Sequence, residues 1–486
     1  MQDQTERPNV LLICVDHWGG LMNRPAGHPV VMTPTIAQMA RCGTMYTNAY
    51  SACPTCIPAR RSLMTGLSAR THGDRIFKEF EPMPDAPTLA DCFAAAGYQT
   101  GAVGKLHVYP QRDRIGFHEV INNEEGRHHL GSGADDWELY LADQGYGGQE
   151  YATGVCNNEY HVHPWHLPER LHPTNWAVAQ MSRMIHRRDP RKPGFWYLSF
   201  VGPHPPMWPP QAYLDLYRDV PMDDPVCGPW ARDTAELPHA LRVYQDGAHA
   251  MVGAPGHEVD QARRGFYASI THIDHQIRLM LGYLREQGLI DNTIIAFTSD
   301  HGDMLGDHGL WAKSWMYEMS AKIPLIVMST TGDDRVAVGV CDDRLAEIGD
   351  IMPTLLELAE LDVPEGVEGR SLIGEDRREW LYGEHWEGER STRMMHDGRY
   401  KLIYYAVGNV RQLFDIVEDP REQHDLAGEA AHAERVDAMS ARLVDHLYGE
   451  DRAWAQGGAL VGLAEGEQGA PQVSRSFSGQ RGCRFM

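Results

Sequence analysis

A chain of 486 residues exceeds what one compact core of ordinary size organises, so its length implies one large domain with a smaller appendage. With 42% hydrophobic and 23% charged residues, the composition is that of a folded globular protein and excludes a disordered chain. Lysine and arginine number 44 against 67 acidic residues, a net charge of −23; this disfavours nucleic-acid binding, and an anionic substrate would have to be met by a local cluster of cations.

Residues 9–16, NVLLICVD, are a short continuous apolar run ending in Asp16 and followed by His17. They read as a strand buried on both faces and not as a secretion signal, because no basic segment precedes them. No run approaches the roughly 18 apolar residues of a membrane helix, so no membrane association is expected. The nine cysteines lack the spacing of a disulfide framework, as expected for reduced thiols of a cytoplasmic protein.

Residues 53–66, CPTCIPARRSLMTG, admit two chemistries. Read as Cys53-Pro-Thr-Cys56, they are a C-x-x-C pair of the redox or zinc-binding type. Read as Cys56-Ile-Pro-Ala-Arg60, only the second cysteine matters. The zinc reading needs a second ligand pair nearby, and no second C-x-x-C or H-x-x-x-H exists. The segment RSLMTG opens a helix, which would put Cys56 at its N-terminus, where the dipole and Arg60 both favour an anion.

Further along, 87–98 has helical patterning, and 100–107, TGAVGKLH, is a second apolar run, ending at Lys105 and His107. The stretch from His118 to Trp176 is rich in histidine and tyrosine; it lines a substrate pocket, or else packs an insertion or builds a contact between copies in a homo-oligomer. Residues 195–204 form a third run, ending at His204, and 264–287 are helical. Residues 293–301 form a fourth run, ending at Asp300 and His301. Such alternation is α/β patterning with a mostly parallel sheet, whose ligands sit beyond the carboxyl ends of the strands. Four ionisable strand ends together point to an active site.

After about residue 370 the runs WLYGEHW, YKLIYYAV and QLFDIVED are short and alternating, as in a small antiparallel sheet, and 430–447 is helical. The expected organisation is a catalytic α/β domain over 1–370, a smaller α+β subdomain over 371–455 and an irregular tail over 456–486.

Cys56-Ile-Pro-Ala-Arg60 followed by Leu63-Met64-Thr65-Gly66 resembles the type I sulfatase signature, in which the cysteine of C-x-P-x-R is oxidised to formylglycine. NVLLICVD, GKLH (104–107), PHPP (203–206), SDHGDMLGDHGLWAK (299–313), DIMPTLLELA (350–359) and LFDIVEDPREQHDLA (413–427) match the same family in order across nearly the whole chain. Two positions depart from it. Ala59 replaces the usual serine, as in the related phosphonate monoester hydrolases, and His17 stands where Asp or Gln is usual.

The resemblance implies an alkaline phosphatase-like fold: a large, mostly parallel mixed sheet flanked by helices, with a smaller C-terminal antiparallel sheet and helix. It implies hydrolysis of aryl or carbohydrate sulfate esters, with a formylglycine-generating enzyme as maturation partner. One hydroxyl of the hydrated aldehyde attacks sulfur, and the other, once deprotonated, expels sulfate. Cys56, Arg60, Lys105, His107, His204 and Lys313 are the expected catalytic residues. Arg60, Lys105 and Lys313 neutralise the anion, His204 with Lys313 protonates the leaving oxygen, and His107 removes the proton from the second hydroxyl. Asp16, His17, Asp300 and His301, with the Cys56-derived oxygen, are the expected ligands of one divalent metal. Family resemblance implies Ca²⁺, whereas two imidazoles would shift the preference towards Mn²⁺ or Zn²⁺; whether His17 ligates or turns away is open. A phosphonate monoester or phosphodiester hydrolase with the same nucleophile is the alternative, and GKLH favours sulfate. A two-zinc phosphodiesterase using Thr55 would need a second complete ligand set, which the sequence lacks. A redox protein using Cys53 and Cys56 is the third reading.

Overall fold

The apolar runs become adjacent strands of one sheet in the computed structural model, which describes residues 7–464 apart from 126, 128–134, 156, 246–250 and 252. The strands are Asn9–Val15 (β1), Thr44–Tyr50 (β2), Gln99–Gly104 (β3), Glu119–Asn122 (β4), Gly194–Ser199 (β5), Thr293–Ser299 (β6), Leu325–Ser329 (β7) and Val340–Glu347 (β8). Their order is β4-β3-β5-β1-β6-β7-β2-β8. The first five in that order are parallel, β7 is reversed between β6 and β2, and β2 and β8 run parallel to each other. This is the large, mostly parallel mixed sheet that the α/β patterning implies.

Every residue of β1 is buried, because both sheet faces are covered. Leu11, Ile13 and Val15 enter the core on one face, and Val10, Leu12 and Cys14 the core on the other. The helices Pro173–His186 and Gly256–Glu286 cover the first face. The longer one buries Phe266, Ile270, Ile273, Ile277, Met280 and Leu284, spaced three or four residues apart. The helices Cys56–Thr65, Leu89–Ala95 and Ile351–Leu358 cover the second. Among the described residues, no helix is long and apolar enough to cross a membrane.

The C-terminal runs form an antiparallel sheet of Leu381–His385 (β9), Thr392–His396 (β10), Tyr400–Tyr405 (β11) and Val410–Asp415 (β12), ordered β12-β11-β10-β9. The helix Ala433–His446 packs on it through Val436, Met439 and Leu443. Strand β10 has no counterpart among the expected runs. Its second residue, Arg393, is a charged side chain with no exposed surface, held at 2.6 Å by Asp451, so its pattern does not look like a strand. Residues 456–463 also differ from the expected tail. Ala455–Gln456 pairs with Ala459–Leu460, and Leu463 N–H donates to Ala406 O at 2.7 Å. The rest of that tail, 465–486, lies outside the described residues.

The sheet order sets the site. β3, β5, β1 and β6 are consecutive neighbours, so their carboxyl ends, about 5 Å apart, carry Lys105, His204, Asp16 and Asp300 to one edge. Gly104 makes the turn out of β3 with φ +105°, and a Cβ there would lie 1.7 Å from the Ser199 carbonyl oxygen. Only glycine permits that approach, which places Lys105 beside β5 and β1.

Candidate active site

Cys56 is the first residue of the helix Cys56–Thr65 and is fully buried. Its Sγ lies 3.2 Å from His301 Nε2 and 3.8 Å from Asp16 Oδ1. Burial and Asp16 push the thiol upward, but Lys313, Lys105 and His301 outweigh them and lower it. Cys53, three residues earlier, is held well above the ordinary thiol range by burial and by Glu384 and Asp74. The two cysteines of the C-x-x-C therefore sit in opposite electrostatic environments, with only Cys56 facing the cations of the site.

Around Cys56 the structure gathers Arg60, Asp16, Asp300, His301 and Lys105. Arg60 donates from Nε to Asp300 Oδ2 at 2.9 Å and from one Nη to the Lys105 carbonyl at 2.8 Å and Ser199 Oγ at 2.9 Å. Its other Nη is buried with no hydrogen-bond partner. Lys105 has no exposed surface and donates to both Asp16 and Glu125. Burial opposes its charge, but Asp16 and Glu125 raise it above the ordinary lysine range.

His17 adopts a left-handed backbone, φ 67°, which turns its ring into the site. Its Nδ1–H donates to Asp303 Oδ2 at 2.8 Å, leaving the Nε2 lone pair facing Lys313 Nζ at 2.7 Å. His204 repeats the arrangement: Nδ1–H donates to the Pro205 carbonyl at 2.6 Å, and Nε2 accepts from Lys313 Nζ at 3.1 Å. Burial brings His204 down to about 3 and carries His17 well below the ordinary imidazole range, so both rings are neutral acceptors. An ammonium has three donors; with two given to these rings, Lys313 keeps one for a ligand.

His107 lies apart from this hydrogen-bonded set. It has φ 61° and is buried against Phe77, and both ring nitrogens lack a hydrogen-bond partner. Burial, with Arg127 and Lys105 adding, keeps its ring neutral.

The donor atoms of Asp16, His17, Cys56 and His301 all lie within 4.8 Å of one another, a spacing that fits one cation. Asp300 Oδ1 is 3.7 Å from His301 Nε2 and also accepts the His301 backbone N–H at 3.0 Å. His301 donates from Nδ1 to the Gly302 carbonyl, which leaves Nε2 facing the cluster. A second group, Asp16, Glu125 and His204, has similar spacing, but Lys105 is hydrogen-bonded to both of its carboxylates. An ammonium therefore stands where the two-zinc reading through Thr55 would need a second metal.

Three residues of the site, two of them buried, are not among those expected from the sequence. Glu125 joins Lys105, Arg127 and His204, at 3.1 Å from Arg127 and 3.9 Å from His204. Burial raises its carboxyl, but the cations Lys105 and Arg127 beside it outweigh that and bring it well below the usual range. Arg127 also pairs with Glu79 and lies 5.2 Å over Phe77. Both residues belong to the aperiodic 118–176 segment, where position in sequence carries no signal. Asp303, which accepts from His17, Tyr160 and the backbone of Leu305 and Ala312, lay within the quoted SDHGD run and could have been found there.

A cavity of about 250 Å³ opens onto His17 and Lys313. The 118–176 segment lines it with Arg127, Asn158 and Tyr160, and the C-terminal subdomain with Trp386, Arg390 and Thr392. Other aromatics of that segment, such as Trp137 and Trp176, are buried in the core, so pocket lining and packing both occur.

A family model described as Sulfatase matches residues 8–361, and one described as N-sulphoglucosamine sulphohydrolase, C-terminal, matches 306–448. The chain is 34% identical to an arylsulfatase of Clostridium perfringens over 94% of its own length and 97% of the relative's. It is 28% identical to a choline-sulfatase of Rhizobium meliloti, covering 87% of this chain and 83% of that one. Its fold is similar to that of a phosphonate monoester hydrolase of Agrobacterium radiobacter, with a TM-score of 0.76 at 23% identity over 92% of this chain and 96% of that chain. Fold and relatives together define a hydrolase of the alkaline phosphatase superfamily. Within it, the chain belongs to the sulfatase family.

Glu125→Gln keeps the shape but removes the charge that steadies Lys105 and His204, and should lower kcat of an aryl sulfate about 10- to 100-fold with KM changing less than threefold. Steady-state kinetics at saturating metal check this; a kcat within twofold of wild type would reduce Glu125 to a packing residue.

Proposed function

We propose that this sulfatase-family enzyme hydrolyses the sulfate ester of a ring-bearing substrate, using formylglycine at position 56 and one divalent cation. The observation that carries the reading is the convergence on buried Cys56 of Arg60, Lys105 and the Lys313 ammonium, set between two neutral imidazoles. Formylglycine, once formed and hydrated, supplies the nucleophilic hydroxyl, and the cation supplies Lewis acidity. Asp16, Asp300 and His301 would hold the cation, with His17 as a further ligand if Lys313 yields its Nε2.

The remaining work belongs to the chain's own side chains. Lys105 stays charged between Asp16 and Glu125 and counters the anionic ester from the β3 side. Lys313 has a donor left for the ester oxygen, so in this reading it protonates the leaving group while neutral His204 orients it. His107, with both ring nitrogens unengaged, is the base that takes the proton from the second hydroxyl. Maturation by a formylglycine-generating enzyme and a cytoplasmic location complete the proposal; the free thiols of the described residues support the latter.

The test of reaction class is a panel of one aryl sulfate, one aryl phosphonate monoester and one phosphodiester. The sulfate should lead in kcat/KM by tenfold or more, about 1.4 kcal/mol in transition-state stabilisation. A phosphonate or phosphodiester leading by that margin would replace the reading with the alternative that retains the same nucleophile.

Mass spectrometry of the peptide ending at Arg60 should show an aldehyde in place of the Cys56 thiol in active enzyme. Cys56→Ala should lose activity, whereas Cys53→Ala should keep it, since the Cys53 thiol has no chemical part. Fully active enzyme with an unmodified Cys56 would sink this.

For the metal, we propose Ca²⁺, with Mn²⁺ or Zn²⁺ the outcome if His17 ligates. Stripped wild type and His17→Asn are each reloaded with Ca²⁺, Mg²⁺, Mn²⁺ or Zn²⁺, and both bound metal and turnover are measured. One equivalent of Ca²⁺ restoring both proteins means that His17 does not ligate. Recovery of wild type by Mn²⁺ or Zn²⁺ alone, with the variant accepting Ca²⁺, makes it a ligand. Full activity with no bound metal refutes the site.

A further inference from the structure

The cavity beyond Lys313 has walls of unusual charge for this protein. The chain as a whole carries −23, yet among the described residues no Asp or Glu lines the cavity. Its cations are Lys313, Arg127 and Arg390. Lys313 faces the reacting end. Arg127 is already matched by Glu79 and Glu125. Arg390 is different: it closes the Gly388–Arg390 turn of the C-terminal subdomain, with its guanidinium carbon 5.5 Å from the Trp386 ring centre.

The acids nearest to Arg390 in sequence are committed elsewhere. Glu387 is 3.4 Å from Arg75, and Glu389 is 3.9 Å from His239. Among the described residues, no carboxylate lies within ion-pairing distance of Arg390. The sulfate ester is already served by Arg60, Lys105 and Lys313 at the other end, so Arg390 is a cation in excess of what the reacting group needs. The same cavity is lined by the rings of Phe77, Tyr160, Trp315 and Trp386, apolar and aromatic walls suited to one ring of a leaving group.

We propose that the leaving group is a ring bearing a second anionic group, a carboxylate or another sulfate, and that Arg390 binds that group. A guanidinium held over an indole is confined at one face, and its planar fork of donors matches either anion. The same walls disfavour a cationic leaving group, which would meet Arg390 and Lys313 with no carboxylate to offset them. The inference rests on the sulfate ester reading of the site and narrows its substrate class.

The test compares 4-carboxyphenyl sulfate with its carboxyl methyl ester, which keeps the sulfate but has a neutral far end, and both with choline sulfate, in wild type, Arg390→Ala and Arg390→Lys. Taking the anionic-to-neutral ratio of kcat/KM within each protein cancels the intrinsic difference between the two phenols. The ratio should fall about tenfold from wild type to Arg390→Ala and about half as far on a logarithmic scale in Arg390→Lys, which keeps the charge without the fork. Choline sulfate should be the poorest of the three substrates in wild type. Equal ratios in wild type and both variants, or choline sulfate leading the panel, would overturn this inference alone. Failure of wild type to turn over any of the three sulfates would overturn the sulfate ester reading, and this inference with it. Arg390→Lys serves on its own if the alanine variant does not fold.

Discussion

Lys105 carries a charge with no exposed surface, and the architecture of the site follows from the need to satisfy it. An ammonium taken out of water is stable only with carboxylates against it, and here Asp16 from the end of β1 and Glu125 from the loop after β4 supply them. Removing one partner of such a buried group costs about 3–5 kcal/mol, because the other charge is left stranded. That constraint ties together two strands and a loop. It fixes one oxygen of Asp16, so that the other faces Cys56 and His301 in the candidate metal site. It also draws Glu125 towards His204, whose ring then meets Lys313. The glycine turn at 104 is the backbone condition for it, since any side chain there would collide with β5.

The same logic joins the C-terminal subdomain to the catalytic sheet. Lys401 of β11 is wholly buried between Glu318 and Glu422, at 2.7 and 2.6 Å, and Arg75 and Arg393 share Asp451 at 2.6 Å each. Around these pairs, Tyr317 donates to Gln412 at 2.6 Å and stacks on Trp230. A polar, hydrogen-bonded interface of this kind has demanding geometry, so the subdomain sits in one orientation. Docking in that orientation is what delivers Trp386, Arg390 and Thr392 to a cavity whose opposite wall comes from residues more than 200 positions earlier.

That distance explains what could and could not be read from the sequence. The strand ends were legible because a continuous apolar run that stops at Asp16, Lys105, His204 or Asp300 reports both a buried strand and the edge where ligands gather. The strand order that makes those ends neighbours is a property of pairing and is not written in any one segment. Glu125 and Arg127 were invisible for a different reason: nothing periodic surrounds them, and their importance comes from the pairs they make with each other and with Lys105, His204 and Glu79. Strand β10 was hidden by Arg393, a residue that no pattern places in a core until Asp451, 58 positions on, neutralises it. His17 was visible as a departure from the family, but not its tautomer, which is set by Asp303 beyond the end of the neighbouring strand β6.

An acidic protein that acts on an anion must create attraction locally, and the arrangement of pairs shows how. Arg60 is matched by Asp300, Lys105 by Asp16 and Glu125, and Arg127 by Glu79 and Glu125. Lys313 alone at the reacting end is bound to neutral imidazoles instead of carboxylates. The matched cations therefore supply fixed donors in set directions, while the net positive potential comes from Lys313 and the N-terminus of the helix Cys56–Thr65. A field built this way is short-ranged. It cannot gather anions across the surface of a molecule of charge −23, but inside the cavity, partly shielded from solvent, it acts with less screening than at the surface. Selectivity then depends on what the substrate presents inside the cavity and much less on its charge at a distance, so the far wall, where Arg390 stands, has as much say over which ester is hydrolysed as the residues at the reacting sulfur.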